Sequence, residues 1–241
     1  MWRYLSLLAI VATLAFAACD GGGDGDPTAT PPAELTTAAS PTAGRFDSGR
    51  IAEADDDPSL PGEFVDLQAI YGGFYGNPDG PTTAPHVTSD VDYVGDGNSN
   101  PPTGGPHWGS GPCGSDPTAP TSPFCGPAPW GIYREPWTPE TLVHNMEHSG
   151  VVIWYNTADE AVIDELEDLA TERLNEGQTL VLAPYPDMEA EHVAITSWSR
   201  IDKFSVEEFE QSRVEAFIDA HLCRFDPEGF CGRTPEGEIL G

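Results

Sequence analysis

The stretch that decides the fold runs from Leu142 to Tyr155 and contains LVHNMEHSG followed by VVIWY. Residues 139–149 have a pattern typical of a helix, and Gly150 predicts its end. The β-branched and aromatic run at 151–155 predicts a buried strand directly after it. We expect the remaining elements to pack around this junction of helix and strand.

The chain after this junction predicts a second helix. Thr157 and Glu160 have the spacing of a capping box, in which side chains bind the first free N–H groups of a helix. Apolar residues then recur at helical spacing, and Gly177 predicts the end of the helix. These apolar residues are Val162, Ile163, Leu166, Leu169, Ala170 and Leu174.

Two strands and a last helix follow. Residues 179–184 and 192–198 predict strands, and the short turn between them predicts an antiparallel hairpin. A second capping box, formed by Ser205 and Glu208, predicts a helix over residues 206–222.

The order of elements after residue 138 is therefore helix, strand, helix, strand, strand, helix. This order predicts an α+β fold in which helices cover one face of a small mixed sheet. Residues 76–136, ahead of it, are rich in Pro and Gly but also carry aromatic residues, so we expect a long, ordered loop region. A single globular domain is expected over residues 63–241.

The N-terminus predicts export and a membrane anchor. A short basic start precedes an apolar run that ends at Ala18, which suits a signal peptide but is short for a membrane span. Residues 14–19 resemble the lipobox of bacterial lipoproteins, in which the cysteine, here Cys19, is lipidated. Residues 1–18 are then a signal peptide and 19–62 a disordered acidic tether. An ordinary signal peptide with an incidental cysteine is the alternative.

This interpretation places the protein on the outer face of the bacterial cytoplasmic membrane, held there through its N-terminal lipid. The four remaining cysteines agree with export, because an even number in an exported chain predicts disulfides. Local pairing, Cys113–Cys125 and Cys223–Cys231, is the simplest of the three possible connectivities. Neither pair has the C-x-x-C spacing of a metal or redox site.

The charge of the chain limits its partners. Its 40 acidic and 10 basic residues give a net charge of −30. A surface this anionic repels nucleic acid and anionic lipid head groups, and it suits solubility, cation binding or a saline habitat. We expect no nucleic-acid partner, and a protein or small-molecule partner remains open.

Three polar residues of the first helix can act together. His144, Glu147 and His148 lie at i, i+3 and i+4, which places their side chains on one helix face. Such a face can chelate a divalent metal, hold a proton relay or simply contact solvent. The glutamate precedes the second histidine, so the zinc-protease motif His-Glu-x-x-His is absent. Met146 points away from this face and is expected in the core.

The other histidines have less context. His107 ends a stretch of glycines and prolines, and by itself it predicts a packed turn whose ring binds backbone carbonyls. His192 and His221 lie at a strand start and a helix end, where packing or capping is expected.

Several segments together resemble a known family. They are Pro85–Val87, Asn98–His107, Trp130–Tyr133, Leu142–Ile153 and Ala194–Arg200. In this order they resemble the family called domain of unknown function 3105, over about residues 64–220. The resemblance implies that five residues belong to one site, which their spacing alone does not show. The five are His86, His107, His144, Glu147 and His148.

The resemblance brings no established activity, but it favours a transition-metal site. The ligands would be His107, His144 and His148, with His86 or Glu147 in addition, and the metal would be copper or zinc. One alternative is a zinc-dependent hydrolase that uses the same cluster. Another is a metal-free module that binds a ligand or a protein partner.

Overall fold

The computed structural model describes residues 56–73, 84–109 and 126–234. The strands of this part are β1 (Glu63–Phe64), β2 (His86–Val87), β3 (His107–Trp108), β4 (Gly131–Ile132), β5 (Val151–Asn156), β6 (Leu180–Pro184), β7 (His192–Ser197) and β8 (Arg200–Ser205). The helices are α1 (Leu67–Tyr71), α2 (Tyr93–Asp96), α3 (Pro139–Glu147), α4 (Glu160–Asn175) and α5 (Gln211–His221), with a short 3-10 helix at Val206–Glu208.

Six strands form one mixed sheet in the order β1-β8-β7-β5-β6-β4. The central strand β5 has β6 parallel on one side and β7 antiparallel on the other. Strand β4 runs parallel to β6, while β8 and β1 continue the other side in antiparallel fashion. Strands β2 and β3 form a separate parallel pair. The predicted α+β class with a mixed sheet is confirmed.

The predicted hairpin between β6 and β7 is wrong. Both strands pair with β5, from opposite sides. The observed hairpin joins β7 to β8 through Trp198 and Ser199. Ser199, the second residue of this turn, has a φ of 65°. The sequence pattern missed β8 because this strand contains Arg200, Asp202 and Lys203, which hide its alternation.

Helices cover both faces of the sheet, whereas the sequence predicted helices on one face only. Successive residues of β5 point to opposite faces. Val152 and Trp154 pack in one buried cluster with residues of α3. Val151 and Ile153 pack in a second cluster with residues of α4 and α5. Helix α3 therefore lies on the face opposite α4 and α5, where Leu67 of α1 and Tyr93 of α2 join the same cluster, and Met146 is buried there as expected.

The predicted helix starts need correction. Helix α4 has Asp159 as its N-cap, and the carboxylate accepts a backbone N–H of the first turn. Thr157 instead accepts the N–H of Asp159. Ser205 makes no side-chain cap, and α5 begins only at Gln211, after the 3-10 helix. The capping-box spacing therefore predicted both helical regions but not the residue at which each helix begins.

The disulfide Cys223–Cys231 is present, which confirms that predicted pairing. The second predicted pair, Cys113–Cys125, lies outside the described residues. So do the expected signal peptide, Cys19 and most of the expected tether. In the described part of the chain, no helix has the length and apolar character needed to cross a membrane.

The junction of α3 and β5 differs from its prediction in one respect. Helix α3 ends at Glu147, and Ser149 rather than Gly150 takes the left-handed conformation, with φ 71°. Gly150 is needed for close packing instead. A Cβ there would lie 2.5 Å from the ring of Trp130 and 2.9 Å from the backbone oxygen of Asn145.

We expect Gly150→Ala to lower the free energy of unfolding by about 1–3 kcal/mol, because an added methyl must displace the Trp130 ring and the α3 backbone. Chemical denaturation measures this difference. Gly126→Ala is the matched control, because a Cβ at Gly126 meets nothing within 4 Å. Its effect should stay within about 0.5 kcal/mol. Equal losses in both variants would contradict a packing role for Gly150.

Candidate metal centre

Strands β2 and β3 bring His86 and His107 side by side. The two residues are direct partners in this parallel pair, so their side chains leave it on the same face. Their ring centroids are 5.0 Å apart. A Cβ at Gly109 would lie 2.6 Å from the His86 ring, so the glycine leaves the space that this ring occupies.

The segment ahead of His107 is held by the buried side chain of Asn98. Its amide donates to the backbone oxygen of Gly104 at 2.8 Å, and its oxygen accepts the backbone N–H of Ser99 at 2.8 Å. Gly104 and Gly105 have φ of 147° and 116°, which glycine adopts without strain. These contacts fix the backbone that places His107 in a fully buried position.

Helix α3 contributes His144 and Glu147 to the same place. The Nδ1 of His144 lies 2.7 Å from the backbone oxygen of Trp108, and the Nδ1 of His107 lies 2.9 Å from that of Gly105. A carbonyl only accepts, so each Nδ1 carries a proton and donates it. In a neutral ring the lone pair is then on Nε2. Metal-binding histidines are oriented in this way by carbonyls that bind their other nitrogen.

Four donor atoms converge between these elements. One atom each from His86, His107, His144 and Glu147 lies within 4.8 Å of all the others, and this group could hold a metal ion. The Nε2 of His107 is 2.9 Å from the Oε2 of Glu147, and that of His86 is 3.6 Å from the same oxygen. Three of the residues are buried, while the side chain of His86 is half exposed. We call these four residues the inner group.

The electrostatics of the inner group depend on the buried carboxylate. The Nε2 of His107 faces a carboxylate oxygen of Glu147. The two atoms attract each other only when a proton or another cation lies between them. The hydrogen bond to Glu147 raises the pKa of His86, against the opposing effect of partial burial. Burial, together with the two neighbouring histidines, lowers the pKa of His144 to about 3. His144 is therefore neutral near pH 7, which is the form that binds metals.

His148 lies in an adjoining group. Its Nε2 is 3.2 Å from the Nε2 of His144 and 3.3 Å from the Oε2 of Glu228. Donor atoms of Glu147, His148 and Glu228 also lie within 4.8 Å of one another, and we call these three the outer group. The five residues expected in one site are thus divided between two groups that share Glu147.

Sequence reasoning missed Glu228. The loop closed by the disulfide carries it over the end of α3, where the ring of Phe230 stacks on that of His148 with centroids 3.9 Å apart. A hydrogen bond of 2.5 Å from Ser149 to Asp226 ties the same loop to the turn that follows α3. The cysteine spacing predicts a tight loop, but nothing in the sequence indicates what that loop covers.

A separate cavity of about 480 Å³ adjoins the first turns of α3. Its lining includes the aromatic residues Tyr93, Trp108 and Tyr185 and the acidic residues Asp90, Asp92, Glu140 and Asp187. The buried carboxylate of Glu140 accepts the backbone N–H of Val91 at 2.8 Å, and burial raises its pKa. The volume falls within the range typical of small-ligand sites.

In the metal-free protein we expect His107 and His144 to carry their protons on Nδ1, and His144 to stay neutral between pH 5 and 8. The reasons are the two carbonyl acceptors and the burial of His144. Two-bond ¹⁵N–¹H spectra of the imidazole nitrogens report both the tautomer and the titration. His86, whose pKa is raised, should bind its proton at higher pH than an ordinary histidine. A His144 that titrates near pH 6.5 would contradict the described environment.

Comparisons with known proteins give one match. No characterised protein and no solved structure matches the chain. A match to a family model begins beyond His86 and His107 but includes α3, the central strands and the loop that carries Glu228. The family is "Protein of unknown function (DUF3105)", whose model matches residues 123–232 and confirms the resemblance predicted from the sequence.

Proposed function

We propose that this protein is an exported, lipid-anchored bacterial protein that binds a divalent transition-metal ion, zinc or copper, through the inner group. The ligands are the Nε2 atoms of His86, His107 and His144 with a carboxylate oxygen of Glu147. The anchor rests on the sequence of the N-terminus, where an apolar run leads into Cys19.

The distances between donor atoms carry this proposal. Ligands about 2.0–2.1 Å from a tetrahedral ion are about 3.3 Å from one another, because a tetrahedron's edge is about 1.6 times its centre-to-corner distance. The contacts of Glu147 with His107 and His86, at 2.9 and 3.6 Å, bracket this value. A cation at this place also neutralises the buried carboxylate and leaves His144 in its neutral form.

The chemistry of the donors favours zinc(II) or copper(II). Imidazole nitrogen and carboxylate oxygen suit both ions, whereas copper(I) prefers thiolate and thioether sulfur. Among the described residues, no sulfur atom belongs to the inner group, and Met146 lies in the core. The net charge of −30 additionally raises the concentration of cations near the surface.

We expect the full chain, purified without a histidine tag, to retain zinc or copper after gel filtration. His107→Ala should weaken the binding of that ion by more than about 100-fold, since changes outside the ligand set already cost about 10–100-fold. Elemental analysis gives the stoichiometry, and competition with a chromophoric chelator gives the affinity. Addition of the metal should also raise the melting temperature of the wild type.

His192→Ala is the matched control, because this histidine lies at the start of β7, and its Nδ1 contacts the oxygen of Ala190 rather than either group. Its metal content should equal that of the wild type. Equal metal content in all three proteins would mean that the inner group does not hold the ion. Metal-free wild type, even after incubation with both ions, would refute the proposal outright.

Metal-assisted hydrolysis is a second candidate function, and the exposure of His86 favours it. The half-exposed ring gives solvent a route to a centre whose other three residues are buried. A bound zinc ion with an accessible coordination position activates water. Hydrolysis of an activated ester or phosphoester that disappears with a chelator and with His107→Ala, but persists in His192→Ala, would support this role. A protein that binds metal but hydrolyses neither substrate would instead favour a role in metal storage or delivery.

The cavity beside α3 supports a third candidate function, metal-independent binding of a small ligand. Its aromatic and acidic lining suits an organic cation. We expect tetraalkylammonium or arylamine probes to stabilise the protein thermally, and Asp92→Asn, a change at an exposed lining residue, to weaken the effect. Stabilisation that is unchanged in Asp92→Asn would locate the binding elsewhere.

A further inference from the structure

We propose that the protein binds a second metal ion in the outer group, and that Glu147 bridges the two ions. The second ion is held by Glu147, His148 and Glu228. This inference rests on the proposed metal binding by the inner group and extends it from one ion to a dinuclear centre.

The position of Glu147 is the first reason. It is the one residue that belongs to both the inner and the outer group. A carboxylate has two oxygens with about four lone-pair positions, so it can bind two ions at once. The two groups also adjoin, since the Nε2 atoms of His144 and His148 are 3.2 Å apart. Paired metal ions in proteins lie about 3.5–4 Å apart, so adjoining sites are what a bridged pair needs.

The geometry of the outer group is the second reason. The Nε2 of His148 and the Oε2 of Glu228 are 3.3 Å apart. That distance equals the spacing of about 3.3 Å between two ligands of one tetrahedral ion. The outer group has three protein ligands, which is the number in catalytic zinc sites with a position open to water.

The environment of His148 is the third reason. The residue is 6% exposed, and within the described part of the chain its Nδ1 has no hydrogen-bond partner. Among the described residues, its Nε2 lies 3.2 Å from the Nε2 of His144 and 3.3 Å from the Oε2 of Glu228. Stacking on Phe230 holds the ring with that nitrogen directed at the other ligands.

The two groups also share access to solvent. Each has one ligand at the surface, His86 with a side chain 50% exposed and Glu228 with one 33% exposed. The remaining ligands are buried. An ion can therefore reach either position without rearrangement of α3, and Glu228 comes from a loop whose ends are fixed by the disulfide.

The test uses the full chain, stripped of metal and titrated with Zn²⁺ alone. We expect two tightly bound Zn²⁺ ions per chain in the wild type and one in Glu228→Gln, measured by elemental analysis after gel filtration. Glu165→Gln is the matched control, because it removes an exposed carboxylate from α4, and it should bind two ions. Co²⁺ provides a second readout, because two bridged Co²⁺ ions couple magnetically. The EPR intensity per bound Co²⁺ ion should therefore be lower in the wild type than in Glu228→Gln.

The outcomes separate the two proposals. One ion in the wild type, with the same count in Glu228→Gln, would overturn the second site and leave the proposed function intact. No ion in the wild type would overturn both. Two or more ions whose number does not change in Glu228→Gln would assign the additional ions to other acidic groups of this anionic chain, and would also overturn the second site.

Discussion

The carboxylate of Glu147 is 1% exposed and belongs to the last residue of α3, where the helix dipole is negative. Both burial and this field oppose an ionised carboxylate, at a cost of several kcal/mol unless a cation accompanies it. The Nε2 atoms of His107 and His86 lie 2.9 and 3.6 Å from its Oε2. They can supply protons, or they can share a metal ion with the carboxylate, and in either case positive charge is required at this point of the fold.

The surrounding structure follows from the need to hold rings against that carboxylate. His107 reaches its buried position because Asn98 and two glycines fix the preceding loop. The backbone oxygen of Trp108 orients His144, so β3 positions a ring that belongs to α3. Asn145 in turn binds both the N–H and the oxygen of Ala128, each at 2.8 Å, which fixes the far side of the helix. Backbone groups thus set the geometry of the candidate centre.

Local patterns predicted those parts of the fold that depend on local packing. The helical spacing of α4 and the buried run of β5 identify elements whose side chains face one continuous apolar surface. The strand order could not be predicted in this way. Strand β7 pairs with β5 rather than β6, and that choice depends on contacts between distant segments. Strands β2 and β3 are two residues long each, too short for any periodicity.

The same limit applies to the candidate centre. The i, i+4 spacing of His144 and His148 predicted that their imidazole rings would be neighbours. The structure agrees, because their Nε2 atoms are 3.2 Å apart. Spacing could not assign the two rings to different groups. The carbonyl of Trp108, on another element, fixes the tautomer of His144, whereas His148 is held by the ring of Phe230 near the C-terminus. A helix face therefore determines which side chains are neighbours. The segments packed against that face determine which of the two groups each neighbour joins.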